Sequence, residues 1–407
     1  MQFVEILIDD KVLPPSHDHE PFFSLGATNM SKVSFRILQE PVRFNSEFDS
    51  YSMNENNLPG VFLAKHDMVC DMLLRLADNE YYSNIRVHAR SLLGILPSCS
   101  SLSDRLQKAL ESTETLSSFL KAEYQQRSLY KMLYVTELLL GTIPFSTSEA
   151  SEKYLQYCAL FHTANAAEIF HGLIRQCFDT LGASNIRGSD TRLLLRLVLR
   201  FLRLVFANQE QNASSRGSAQ PSRLPPTWSS ESEQTAFLAI LLELCWRTAG
   251  CDPEKHPVSS SPDSICLSLE AISTLGCLAD STHLTVIFSQ PVTQDQMKDL
   301  LLSVGCSNIR AQIASHIHKA ADHPPFLEVM IKLCLDWLPQ VSEDYSSTST
   351  QFFDVLSDLV ARCEPNSGTV DLLVKYATNR LQVRSEVIVV SIFHHIMLFM
   401  HNSDCFD

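Results

Sequence analysis

The stretch NIRVHARSLLGIL, residues 84–96, decides the fold class of this chain. Its apolar residues recur at positions i, i+4, i+7, i+8 and i+11, which is the spacing of one face of an α-helix. The face consists of Ile85, Ala89, Leu92, Leu93 and Leu96. A proline and a cluster of serines follow directly and end the helix. The stretch therefore predicts an amphipathic helix with one buried side.

Further segments of this kind follow one another, with short breaks, from about residue 58 to the end of the chain. The clearest lie at residues 59–77, 84–96, 128–143, 190–207, 235–249, 309–321 and 326–338. The phrase Asn308-Ile309-Arg310 repeats the start of the first stretch, which is compatible with degenerate repeats of about 40–47 residues. We therefore expect an all-α fold, an armadillo/HEAT-like helical solenoid that presents extended surfaces.

Breaks in the pattern divide the chain. Residues 1–40 read as a β-rich strand pair, which we expect to be loosely ordered or adhesive because it has an apolar face of Phe3, Ile6, Ile8, Phe35 and Ile37. Residues 41–57 read as a polar linker. Residues 58–207 and 231–407 read as two helical-repeat blocks. Residues 208–230, rich in Ser, Gln and Pro, are expected to form a disordered linker between the blocks.

Composition narrows the class of partner. The net charge of −14 disfavours nucleic acid and anionic membranes, both of which require a basic surface. No apolar run reaches the roughly 18 residues of a membrane span, and the N-terminus lacks the pattern of a secretory signal. The 12 cysteines are scattered without a CxxC motif, as expected of reduced thiols. We expect protein partners, and a location in the cytoplasm or the nucleus.

Candidate site residues are few. Arg192, Arg196, Arg200 and Arg203 are spaced four, four and three residues apart, so they align as one basic stripe on a helix. The stripe is either a solvated face of an otherwise buried helix or a contact for an acidic protein strip. The histidines at 17, 19, 316, 318, 394 and 395 lack the spacing of a metal site, and we expect surface or satisfied core histidines. We predict no metal site and no cofactor.

Two stretches resemble a known family. Residues 3–38 look like the second half of a ubiquitin-like domain, with strands near residues 6–13 and 33–38. Residues 84–97 and 129–174 look like helical phrases of the same family. Together they resemble the non-catalytic ubiquitin-like and armadillo-like region of giant ubiquitin-specific proteases of the fat-facets type. That family's Gly-Asn-Thr-Cys and Gly-His-Tyr boxes do not occur in the sequence, so no catalytic residue is carried over.

The resemblance implies a non-catalytic scaffold segment of a large deubiquitinating cysteine protease, which would position substrates or regulators for ubiquitin removal. On this interpretation the chain is a fragment. The alternative is a stand-alone armadillo-like adaptor without enzymatic activity. A third interpretation, an enzyme whose active-site residues are dispersed, also stays open, because catalytic residues need not form a sequence motif.

Overall fold

The computed structural model describes residues 67–79, 82–96, 98–125, 128–144, 150–178, 180–181, 186–206, 231–250 and 262–337, and nine positions between 340 and 362. The described residues are predominantly helical and contain no strand, so the prediction of an all-α fold is confirmed for them. The expected strand pair at 1–40 and both expected linkers, 41–57 and 208–230, lie outside the described residues. The chain divides into two compact units, and their described helices span residues 67–206 and 231–337.

The first unit contains eight described helices. They are α1 (Asp67–Ala77), α2 (Ser83–Ile95), α3 (Ser100–Ala109), α4 (Thr113–Tyr124), α5 (Leu129–Thr142), α6 (Ala150–Thr163), α7 (Ala166–Phe178) and α8 (Ile186–Phe206). Consecutive helices pack as pairs, such as α1 with α2 and α3 with α4. The long helix α8 packs on α5, α6 and α7, and α1 also contacts α5. Helices α5 and α8 thus lie at the centre of this unit.

The second unit has six described helices. They are α9 (Glu231–Thr248), α10 (Pro262–Leu278), α11 (Ser281–Phe288), α12 (Pro291–Leu302), α13 (Ser307–Ala320) and α14 (Pro324–Trp337). Helix α9 packs along α10 and also contacts α11 and α12. Helix α13 contacts α10, α11, α12 and α14, so it occupies the middle of the unit.

Local sequence explains where several helices start and stop. The side chains of Ser112, Ser128 and Asp280 accept hydrogen bonds from backbone N–H groups in the first turns of α4, α5 and α11. Pro291 stands at the start of α12, where its missing N–H costs nothing. Gly250, two residues after α9, adopts the left-handed conformation that commonly follows a helix, with φ of 82°.

The stretch that predicted the fold class forms α2. Ala89, Leu92, Leu93 and Leu96 of its apolar face are at most 4% exposed, whereas Ile85 is half-buried. The other predicted segments also overlap helices, although residues 59–66 of the segment at 59–77 lie outside the described residues. The segment at 128–143 matches α5 with both of its caps, Ser128 and Ile143.

Seven of the described helices were not among the clearest segments that the periodicity predicted: α3, α4, α6, α7, α10, α11 and α12. Helices α3, α4, α11 and α12 are short, between 8 and 12 residues, so each contributes few repeats of the pattern. Helices α6, α7 and α10 have 13 to 17 residues, so length alone does not explain why they were missed.

A four-residue phrase, Ser-Asn-Ile-Arg, marks the start of three helices. It occupies residues 83–86, 184–187 and 307–310, at the N-terminal ends of α2, α8 and α13. Arg86 donates from Nη1 to the carbonyl oxygen of Asn79 at 3.2 Å. Arg310 donates in the same way to the carbonyl oxygen of Val304. In both helices the arginine therefore fastens the helix start to the linker that precedes it, and the echo noted in the sequence has a shared structural role.

Candidate functional surfaces

The arginines of the expected basic stripe lie on α8. Arg192 is buried, with 8% exposure, and its Nη1 donates to the carbonyl oxygen of Leu181 at 3.3 Å. Arg196, Arg200 and Arg203 are half-buried. The structure thus places the stripe on a helix that packs against three others and not on a fully open face. Contact with an acidic protein strip stays a prediction for the three half-buried members.

A buried ion pair joins the beginning of α8 to α2. Both guanidinium Nη atoms of Arg90 donate to the carboxylate of Asp190, with an Nη1–Oδ1 distance of 3.1 Å. The Nε of Arg90 donates to the carbonyl oxygen of Ala77 at 3.0 Å, and the guanidinium lies 4.9 Å from the ring centroid of Tyr130. The two side chains of the pair are each 8% exposed. A planar guanidinium that bonds a carboxylate in this paired way fixes the orientation of both helices.

Asp78 extends this polar cluster to α5. Its carboxylate accepts hydrogen bonds from the hydroxyl of Ser128 and from the backbone N–H of Tyr130, the latter at 2.8 Å. Burial raises the pKa of Asp78 above its usual value, while the two hydrogen bonds oppose that shift. Because the residue after α1 thereby binds the first turn of α5, the cluster is a structural junction between helices.

A second buried carboxylate lies on α4. The side chain of Glu123 is fully buried and contacts the ammonium of Lys131, at an Oε2–Nζ distance of 3.1 Å, and the guanidinium of Arg105. The three residues belong to α4, α5 and α3 respectively. Two cations around one buried carboxylate satisfy its charge, so this group also holds helices together.

A shallow groove of about 420 Å³ lies between α4 and the turn that joins α6 to α7. We call it the polar groove. Its lining residues are Thr113, Glu114, Ser117, Ser118, Lys121, Thr163, Ala164 and Asn165. Asn165 adopts the left-handed conformation, with φ of 55°, in the turn itself. Hydroxyls, a carboxylate and an ammonium can form hydrogen bonds with the main chain or polar side chains of a peptide.

The thiols behave as core groups. Among the described residues nine cysteines are all free, and Cys70, Cys99, Cys158, Cys177, Cys245 and Cys334 are buried. Burial raises the pKa of the Cys158 thiol to about 11 and those of Cys177 and Cys334 to about 12. Since the thiolate is the nucleophilic form, these three thiols stay protonated and unreactive at neutral pH. Cys266, Cys277 and Cys306 are half-buried.

The described histidines agree with the expectation of surface or satisfied core groups. His316 is buried, and its Nε2 lies 3.1 Å from the carbonyl oxygen of Ile272. The half-buried His318 pairs with Asp358, with 2.8 Å between Nδ1 and Oδ2. The histidines at 17, 19, 394 and 395 lie outside the described residues. Within the described part of the chain no group of three or more potential metal ligands comes together.

Sequence reasoning missed both the Arg90–Asp190 pair and the polar groove. The pair joins positions 100 residues apart, which no local pattern can reveal. One signal was present: Arg90 directly follows Ala89 on the apolar side of α2, an unusual place for an arginine unless it is paired. The groove gave no signal, because Ser, Thr and Lys on exposed helix turns are ordinary surface residues.

Comparison with known proteins assigns no family to this chain. No protein-family model matches this chain, and no curated protein matches it. None of the described helices combines the length and the apolar character needed to cross a membrane.

Proposed function

We propose that this chain is a non-catalytic, protein-binding scaffold built from armadillo/HEAT-like helix pairs stacked as a solenoid. The observation that carries the proposal is the Ser-Asn-Ile-Arg helix start, which recurs in both units with its arginine tied to the preceding linker in α2 and α13. A helix start that recurs with the same fastening to the preceding linker supports a repeated structural unit. Repeats of this kind serve as extended binding surfaces.

The surroundings of the ionisable groups also support a scaffold role. The buried Arg90–Asp190 pair and the Glu123 cluster join helices. The buried thiols of Cys158, Cys177 and Cys334 have raised pKa values and pack in the core. The polar side chains that remain accessible, such as those lining the polar groove, suit the recognition of another polypeptide.

We further propose that the scaffold belongs to a large deubiquitinating cysteine protease of the fat-facets type and positions its substrates or regulators. The resemblance at residues 3–38, 84–97 and 129–174 supports this part. The second of these phrases forms α2, with its apolar face in the core, and the third includes α5, α6 and most of α7.

Sequencing of the full-length transcript tests the link to a protease. A Gly-Asn-Thr-Cys box in the same reading frame supports it, and an open reading frame without any such box refutes it in favour of the stand-alone adaptor. The purified chain should not release the fluorophore from a ubiquitin substrate. Turnover that alkylating agents abolish would refute the non-catalytic assignment itself.

Proximity labelling in cells tests the scaffold role separately. The variant Lys121→Glu/Ser118→Glu makes the polar groove acidic, whereas Lys108→Glu adds negative charge on the exposed side of α3. We expect a defined set of labelled proteins that the groove variant loses and the control variant keeps. Identical labelling by all three forms would show that the groove binds no partner.

A further inference from the structure

The polar groove contains side chains whose hydrogen-bonding groups are unused. Glu114, Ser117, Ser118 and Lys121 of α4 and Asn165 of the α6–α7 turn line it. Ser117 is half-buried and the other four are exposed. Within the described part of the chain, none of these five side chains forms a hydrogen bond or an ion pair. Their donors, acceptors and charges are therefore available to a ligand that enters the groove.

The two charged groups of the groove have opposite signs and a fixed separation. Glu114 and Lys121 both belong to α4, and both line the groove. They are seven residues apart, which is close to two turns, so they lie on one face of the helix with Cα atoms about 10.5 Å apart along its axis. Ser118 lies between them on the same face. A ligand that meets both charges must present a cation and an anion at about this separation.

The size of the groove favours an extended ligand over a helical one. Its volume of about 420 Å³ is small, and ligand sites range from roughly 300 to 1,000 Å³. An α-helix with its side chains is about 10–12 Å in diameter and needs a wider groove.

One extended conformation matches the spacing of the two charges. In the polyproline II conformation, residues three apart lie on the same side of the chain and about 9.3 Å from each other. In a β-strand, residues on one side are about 6.6 or 13 Å apart, which fits the charges of the groove less well. The remaining difference of about 1 Å is within the reach of long charged side chains.

We propose that the polar groove binds an extended segment of a partner protein, in the polyproline II conformation, with a basic and an acidic residue three positions apart. The basic side chain pairs with Glu114 and the acidic one with Lys121. The hydroxyls of Ser117 and Ser118 and the amide of Asn165 donate to main-chain carbonyls, which this conformation leaves unbonded. The inference rests on the proposed scaffold function and specifies the chemistry of the partner.

Three fluorescent peptides test the proposal. The matching peptide is Pro-Pro-Lys-Pro-Pro-Asp-Pro-Pro, in which the charges are three positions apart. The spacing control, Pro-Pro-Lys-Pro-Asp-Pro-Pro-Pro, places them two apart and on different sides of the chain. The charge control, Pro-Pro-Lys-Pro-Pro-Lys-Pro-Pro, carries two cations. Fluorescence anisotropy at low ionic strength measures each dissociation constant, because salt weakens exposed charge pairs. We expect the matching peptide to bind the intact chain about fivefold or more tightly than either control.

The variant Lys121→Glu should reverse the preference between two of these peptides. It leaves two carboxylates in the groove, so the peptide with two lysines should bind about fivefold or more tightly than the matching peptide. A gain of this kind cannot arise from misfolding. Lys108→Glu makes the same change on the exposed side of α3 and should keep the preference of the unaltered chain.

Three results would overturn the inference. They are equal affinity for all three peptides, no binding of any peptide, and a Lys121→Glu variant that keeps the original preference. Proximity labelling separates these results from a failure of the proposed function. If the groove variant loses labelled proteins although no peptide binds, the scaffold role stands and only the proposed charge pattern is wrong.

Discussion

Among the described residues, the two units differ in how they use their cations. In the first unit, lysine and arginine pair with buried carboxylates across helices, as in the Arg90–Asp190 pair and the Glu123 cluster. In the second unit, two cations bond backbone carbonyls near helix ends, a contact that Arg86 and Arg192 of the first unit also make. Lys319 donates to the carbonyl oxygen of Ala279 at 2.6 Å, and Arg310 donates to that of Val304. The first arrangement fixes distant parts of the chain together, and the second satisfies the unpaired carbonyls of helix ends.

The two units also differ in the balance of their charged residues. Residues 67–206 carry 15 Lys and Arg against 14 Asp and Glu, whereas residues 231–407 carry 10 against 22. A nearly balanced segment can pair its charges internally. A segment with a surplus of acids has few cations available, and the buried Arg310 and the half-buried Lys319 bind carbonyl oxygens. We therefore expect the small number of cations to limit the number of side-chain ion pairs in the second unit.

The largest effect is expected from Asp190→Ala. It leaves the buried guanidinium of Arg90 without its carboxylate, and removal of one partner of a buried pair costs about 3–5 kcal/mol in free energy of unfolding. Denaturant unfolding, with hydrogen exchange in peptides of α2 and α8, measures the loss. The exposed pair of Asp295 and Lys298 provides the control, since Asp295→Ala should change the stability by about 0.5 kcal/mol or less. Equal losses in free energy of unfolding for Asp190→Ala and Asp295→Ala would refute the distinction between the buried and the exposed pair.

Arg310→Leu probes the anchor of the second unit. The variant leaves the carbonyl of Val304 without this donor and removes the bond to Oε1 of Gln351 at 2.7 Å, so we expect a loss of about 3 kcal/mol. The matched variant of the first unit, Arg86→Leu, should cost less, because Arg86 is 8% exposed and Arg310 is 2% exposed. Thermal unfolding of both variants measures the two losses of stability. A greater loss from Arg86→Leu would show that the repeated arginine is not the stronger anchor in the second unit.

Gly276→Ala tests a close contact between α10 and α13. A Cβ at this glycine would overlap Cε1 of His316, so the ring must move away from the carbonyl of Ile272. We expect a loss of about 2 kcal/mol, typical of an overpacked core. Gly172→Ala on α7 meets no atom within 4 Å and should stabilise the chain by about 0.5–1 kcal/mol. If the second substitution His316→Ala failed to relieve the loss, the contact would not be its cause.

The smallest effect on stability is expected when the pH is lowered. Burial lowers the pKa of His162 on α6 to about 4, whereas an unfolded histidine titrates near 6.5. Between these values the unfolded chain binds more protons, so the free energy of unfolding decreases as the pH falls from about 6.5 towards 4. The loss between pH 7 and 5.5 should be roughly 1 kcal/mol or less, since solvent screens part of it. His162→Gln should abolish this contribution, measured by hydrogen exchange of α6; an unchanged pH dependence would contradict the assignment.

The sequence alone determined the helical fold class and the buried face of α2. The spacing in residues 84–96 predicted α2 and that face, and the predicted segment 128–143 gave both ends of α5, because these signals are local. The Asn-Ile-Arg echo pointed to a repeated pair. Seven of the described helices were missed: α3, α4, α11 and α12 have only 8 to 12 residues and contain too few periods, whereas α6, α7 and α10 have 13 to 17 residues.

Tertiary structure decided how the charged groups are used. The arginines on α8 were aligned by the sequence, but only the packing of α8 on α5, α6 and α7 made Arg192 buried and the other three half-buried. The Arg90–Asp190 pair and the polar groove likewise bring together residues from separate helices. The physical reason is that helix periodicity is set by neighbouring residues, whereas the surroundings of a charge depend on which distant helices pack against it.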